Sequence, residues 1–219
     1  MPVVVRFVRQ LSHDLRNHLN AAELQSAYLK EIAGEAEVKT EVQRLRGMLS
    51  ELGASLQRLT ASLAQVKLTE MPYDALALVE DLQQKVAALR PNEAQTVEWT
   101  IDLPEVSLPI DPQLLLQAIL ELFSNAMQHG RGLGPLRARA EVKDGQFLLE
   151  LHEPKTNFDR STDDWGREPF RQVGHGHYGL GLHRARLIIE AHAGRLDARY
   201  DAPSSTLVTT VILPTAKPE

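Results

Sequence analysis

Apolar residues recur at alternating steps of four and three through the second quarter of the chain: Val38, Val42, Leu45, Leu49, Leu52, Leu56, Leu59, Leu63 and Val66. That spacing marks a helix packed along a left-handed seam. An earlier run, Val4, Val8, Leu11, Leu15, Ala22, Leu29 and Ile32, keeps the same rhythm, with His18 and Gln25 completing the register. Gly34, between the runs, suits a short helix–helix connection. The pattern predicts an antiparallel helical hairpin from about Val3 to about Lys67. Two helices bury too little apolar surface to stand alone, so pairing of two hairpins into a dimeric four-helix bundle is the expected completion.

Met71-Pro72 breaks this rhythm, and a mixed pattern follows. Leu76, Val79, Leu82, Val86 and Leu89 predict an amphipathic helix, and Val97, Trp99 and Ile101 alternate as a strand. Asp111-Pro112 reads as an N-cap and first helical residue, opening a helix that runs to about His129 before Gly130. Leu136–Ala140 and Phe147–Leu151 alternate as strands. A glycine-rich stretch, 174–181, leads into a helix ending near Gly194, and strands follow at Leu196–Tyr200 and Leu207–Leu213. Helices interleaved with antiparallel-type strands predict an α+β sandwich, one sheet covered by helices. The expected domains are 1–69, the hairpin, and 70–219, the sandwich.

Composition narrows the function. The 219 residues carry 24 Lys and Arg against 29 Asp and Glu, a formal net charge of −5. Neither nucleic acid nor an anionic membrane is expected as a partner. There is no cysteine, which excludes disulfides and thiolate metal sites. No apolar run approaches the roughly 20 residues needed to span a bilayer, and no signal-peptide pattern opens the chain. A cytoplasmic location is the expectation.

The candidate chemistry begins at His13-Asp14-Leu15-Arg16-Asn17. His13 and Asn17 share a helix face one turn apart. An imidazole beside a carboxylate can serve as a nucleophile with a positioned base; it can equally be a solvent-facing histidine without a role. His13 lies off the seam and should be exposed. His18 and Gln25 read as register-setting polar residues, with His18 as a neighbour of His13 the alternative.

Three further motifs follow in order: Glu121-Leu122-Phe123-Ser124-Asn125-Ala126-Met127-Gln128-His129, Asp164-Trp165-Gly166-Arg167-Glu168-Pro169-Phe170, and Gly174-His175-Gly176-His177-Tyr178-Gly179-Leu180-Gly181-Leu182. With His13 and the hairpin, this series resembles the transmitter core of bacterial two-component sensor histidine kinases. The motifs are similar to the phospho-acceptor, asparagine, phenylalanine and last glycine boxes, and the likeness covers nearly the whole chain. It implies a dimerisation and phosphotransfer hairpin followed by a Bergerat-type ATP-binding sandwich. It also implies His13, Asp14 and Asn17 as catalytic residues. The implied nucleotide-binding set is Glu121, Asn125, His129, Glu153, Gly174, Gly176, Gly179, Leu180, Gly181 and Leu182. Asn125, with Glu121, would hold Mg²⁺ against ATP. The implied partners are a second copy of the chain and a response-regulator receiver domain.

Departures from the pattern matter. The family's first glycine box, Asp-x-Gly-x-Gly, should follow the Phe147–Leu151 strand, where this chain has His152-Glu153-Pro154-Lys155-Thr156-Asn157-Phe158. Glu153 stands in for the aspartate that accepts from the adenine amino group, and both glycines are missing. The position often basic in the family, three after Asn125, is Gln128, and the phospho-acceptor box has His18 where proline is usual. Loss of a buried hydrogen-bond partner costs about 1–3 kcal/mol, roughly tenfold to a hundredfold in affinity. The resemblance therefore leaves open a protein-histidine kinase, an ATP-independent histidine phosphotransferase and a non-catalytic pseudokinase scaffold. A gyrase-like ATPase fits poorly with the His13 hairpin. His175, His177 and His183 read as lid and helix residues rather than metal ligands.

Overall fold

The computed structural model describes residues 2–32, 36–62, 64–89, 97–128, 132–156, 158–159, 161–163, 165–167 and 180–216. Side chains at 2–12, 14, 32, 37, 55, 57–62, 89 and 128 lie outside the described set. The chain divides into two compact units, Met1–Gln65 and Val66–Glu219.

The first unit is a pair of long helices, α1 (Pro2–Ile32) and α2 (Ala36–Ser62), packed along one another. Lys30 Nζ donates to Gln43 Oε1 at 2.8 Å across the pair. The α2 seam is used at one position per heptad: Val42 and Leu56 are buried and Leu49 is half-buried. The other position per heptad stays in water, with Val38, Leu45 and Leu52 at 44%, 44% and 52% exposure. On α1 the inner face differs from the expected seam. Among the described side chains Leu19 and Ser26 are the buried residues, while Leu15, His18, Gln25 and Leu29 are exposed. Ser26 is satisfied locally, its hydroxyl donating to the Glu23 carbonyl at 2.8 Å. A four-three pattern carries two stripes, and one partner helix covers only one of them.

The second unit is built on a five-stranded sheet in the order β2-β4-β5-β7-β6: β2 (Val97–Asp102), β4 (Leu136–Lys143), β5 (Gln146–Pro154), β6 (Arg195–Asp201) and β7 (Thr206–Pro214). All pairings are antiparallel except β2 with β4, which run parallel. The expectation of antiparallel strands fails there because a helix lies between the two in sequence, and a helical crossover returns the chain in the same direction. One sheet face is apolar: Leu136, Ala138, Ala140, Phe147, Leu149, Leu151, Leu196, Val211 and Leu213 are all buried. It packs in one core with α3 (Ala75–Leu89), α4 (Pro112–Gln128) and α5 (Gly181–Ala191). The alternate residues carry charge to solvent, as in the pairs Arg137–Glu98 and Arg195–Asp197. Such exposed pairs contribute roughly 0–1 kcal/mol each. The layers are those of an α+β sandwich.

Two short strands escaped the sequence reading. β1 (Met71–Asp74) and β3 (Ser107–Ile110) pair antiparallel as a separate ribbon, with Pro72 opposite Pro109. Proline donates no ladder hydrogen bond and argues against a strand. Here both prolines sit in a two-stranded ribbon, where half of each strand's backbone needs no partner. Among the described residues no helix is long and apolar enough to cross a membrane.

Candidate functional site

Asp111 builds the helix that carries the site. Its Oδ1 accepts from the Leu114 backbone N–H at 3.1 Å, an N-cap, with Pro112 at the first helical position. Its Oδ2 accepts from the Thr69 N–H at 3.0 Å. Burial alone would raise its pKa, but the backbone donors of Thr69, Leu114 and Gln113 outweigh it and hold the carboxyl below its ordinary value. The Asp111 N–H donates to His192 Nε2 at 3.0 Å, and His192 Nδ1–H donates to the Ile188 carbonyl at 2.7 Å. The start of α4 is thus pinned to the end of α5.

Along α4, Leu115, Ala118, Ile119, Leu122, Phe123 and Ala126 face the core. Glu121 and Asn125 lie on the flank of that face, half-buried, one turn apart. Asn125 Nδ2 donates to Glu121 Oε1 at 3.4 Å. Gly181, the first residue of α5, meets this pair: a β-carbon there would fall 1.8 Å from Glu121 Oε1. Only a residue without a side chain lets the helix start approach the carboxylate this closely. The fold therefore brings together Glu121, Asn125 and Gly181, with Leu180 and Leu182 flanking. Backbone N–H groups at a helix start favour anions, and amide and carboxylate oxygens suit Mg²⁺. His129, Gly174, Gly176 and Gly179 lie outside the described residues.

The segment before residue 168 is fastened to α5. Gly166, at φ +71°, leaves no room for a β-carbon, which would sit 2.8 Å from the Leu182 carbonyl oxygen. His183 Nδ1–H donates to the Gly166 carbonyl at 2.9 Å. Arg186, buried, donates to the Trp165 and Leu196 carbonyls at 2.7 and 2.6 Å and to Glu190 at 3.0 Å. His183 is therefore a structural donor. No cluster of three His, Cys, Asp or Glu able to hold a metal ion is present among the described residues.

The end of β5 is different. Glu153 follows Phe147, Leu149 and Leu151 on the core face of β5 and is buried, at 4% exposure. Lys155 is two residues on, buried at 9%, and its ammonium is ion-paired with Glu153. Counting from Glu153 along Asp-x-Gly-x-Gly, Lys155 occupies the first glycine position. The surrounding backbone closes on it: Gly132 N–H donates to the Pro154 carbonyl at 2.7 Å, and Lys155 N–H to the Ser205 carbonyl at 2.8 Å. Sequence reasoning placed Glu153 but missed Lys155. The signal was an acid and a base at i and i+2 at a strand end, where alternation puts both on one face.

In the first unit, His13 and Asn17 are exposed on α1, and Asn17 Nδ2 lies 3.5 Å from His13 Nδ1. Asp14 is on the same helix, its side chain outside the described set.

No protein-family model matches the chain. The alginate biosynthesis sensor protein KinB of Pseudomonas aeruginosa is 26% identical over 207 residues, which is 88% of this chain and 34% of that protein. The chain is a homologue of sensor histidine kinases. It spans between 26% and 34% of the length of three curated relatives. Full-length ShkA, solved in complex with AMPPNP, superposes with a TM-score of 0.72 at 21% identity, covering 97% of this chain and 46% of that one. The histidine kinase AdeS of Acinetobacter baumannii gives 0.56 at 20% identity, covering 94% of this chain and 98% of that one. At these identities the structures show the fold alone: the second unit has the α+β sandwich fold found in histidine kinases.

Proposed function

We propose that the chain is a two-component phosphorelay protein that carries a phosphoryl group on His13 and passes it to an aspartate of a response-regulator receiver domain. The observation that carries this reading is the exposed His13–Asn17 pair within a His-Asp-x-x-Asn box on a long helix. Neutral His13 attacks phosphorus in line, Asp14 orients the ring, and Asn17 positions water for the reverse, phosphatase reaction. Division into a hairpin, 1–69, and a catalytic domain, 70–219, follows from the same reading.

A second copy of the chain completes the hairpin. The exposed stripe of Val38, Leu45 and Leu52, with an open apolar groove between Val38, Val42 and Leu45, supports a dimeric four-helix bundle.

Two donors suit His13. The phosphate end of the second unit favours a protein-histidine kinase: Glu121, Asn125 and the start of α5 would hold Mg²⁺ and a triphosphate. The base end favours an ATP-independent phosphotransferase, because Glu153 already has an ammonium partner in Lys155.

The His13 role is tested with radiolabelled ATP and, separately, with a receiver domain charged from labelled acetyl phosphate. Acid-labile label appears on the wild type from at least one donor and is absent from His13→Ala. A wild type unlabelled by both, or a His13→Ala chain labelled like the wild type, rejects the reading.

A further inference from the structure

We infer that Lys155 is an internal counterion that takes the place of the adenine amino group at Glu153, so that the base end of the site is closed to adenine nucleotides and the phosphoryl group on His13 comes from the aspartyl phosphate of a receiver domain. The inference rests on the reading of His13 as phosphoryl carrier and chooses between its two donors.

Three observations carry it. Glu153, where the pattern has its adenine-reading aspartate, ends the buried face of β5. Lys155, where the pattern has a glycine, folds onto that carboxylate and is itself buried. The Gly132 and Ser205 backbones fasten the strand end on either side, so the pair cannot separate by a simple swing of the loop. An incoming adenine would have to displace a charged donor with a neutral one. Both donors bond an ionised acceptor, but only the ammonium also cancels the carboxylate's charge. Displacement would also leave a buried ammonium without its anion, a strongly unfavourable state. The glycine that would let backbone approach the ring is replaced by four methylenes.

The transfer needs no nucleotide. The lone pair of a neutral imidazole nitrogen of His13 attacks phosphorus. A nitrogen–phosphorus bond forms, the phosphorus–oxygen bond to the receiver's aspartate breaks, and the carboxylate leaves with the electron pair. The imidazole proton is released to solvent.

Calorimetric titration of the full chain with MgATP and MgADP tests the assignment. Wild type is expected to show no saturation at submillimolar nucleotide. Lys155→Gly is expected to gain at least tenfold in affinity. Lys155→Gln, which keeps a neutral donor beside Glu153, should gain less, in the same direction, and covers the case in which the glycine variant fails to fold. Micromolar binding by the wild type overturns the inference, as does a folded Lys155→Gly chain that gains nothing. Label on wild-type His13 from ATP overturns it while leaving the carrier role standing. Loss of the carrier role is read separately, from His13→Ala.

Discussion

At Gly181 a single missing methyl leaves room for the Glu121 carboxylate. Alanine there would not break the fold: the obstacle is the end of the flexible Glu121 side chain, and alanine is the better helix former by up to about 1 kcal/mol. Gly181→Ala should therefore change stability by less than about 1 kcal/mol in urea unfolding. It should push Glu121 away from Asn125, visible as a shift of the Asn125 side-chain amide resonance. Asp111 is the opposite case, a residue whose charge holds structure. Its folded pKa lies below the ordinary carboxylate value, so the native state binds fewer protons than the unfolded chain between the two. The stabilisation is complete above the unfolded value, near pH 4, and is lost as pH falls through the folded one. Asp111→Asn leaves an amide facing the Thr69 N–H, and should cost about 1–3 kcal/mol at neutral pH. The difference from wild type should shrink in acid, as read from denaturant midpoints at several pH values. The resemblance singled out Glu121 and Asn125, and their i, i+4 spacing placed them on one helix face. The contacts of Gly181, Lys155 and Arg186 come from tertiary packing or strand ends, which no helical period announces.

Among the elements, the helices were the most legible. Asp111-Pro112 is local chemistry, so the start of α4 follows from the residues that make it, whereas α2 stops at Ser62, short of the expected end near Lys67. β1 and β3 were not legible, because four-residue strands carrying proline give too short a pattern. The face of α1 was misjudged for another reason. Its register includes His18 and Gln25, which a lone hairpin leaves in water, while Leu19 and Ser26 turn inward. Whatever covers the outer stripe must meet leucines on α2. Leu45→Glu with Leu52→Glu should leave the helices intact by circular dichroism. On the dimer reading it should halve the mass in sedimentation equilibrium. An unchanged mass would remove the second copy as the occupant.

For the whole molecule, the sandwich emerged from alternation and the order of elements, yet the parallel β2–β4 edge did not, since direction depends on the path of the connection. The two units also differ in a way the fold makes useful. Trp99 stacks on Phe123 of α4, with ring centroids 5.3 Å apart and planes at 18°. Trp165 sits beside Phe158, which also contacts Tyr200. The chain has two tryptophans in all, both within Val66–Glu219. Excited at the red edge of the indole band, the protein therefore emits only from its second unit, and melting of α1 and α2 is silent in fluorescence. Thermal unfolding followed by emission should trace the sandwich alone, while ellipticity follows both units. If the hairpin melts first, the ellipticity transition begins at lower temperature, and on the dimer reading dilution moves that early phase without moving the fluorescence. One molecule thus contains an unlabelled control for the half on which the dimer reading rests.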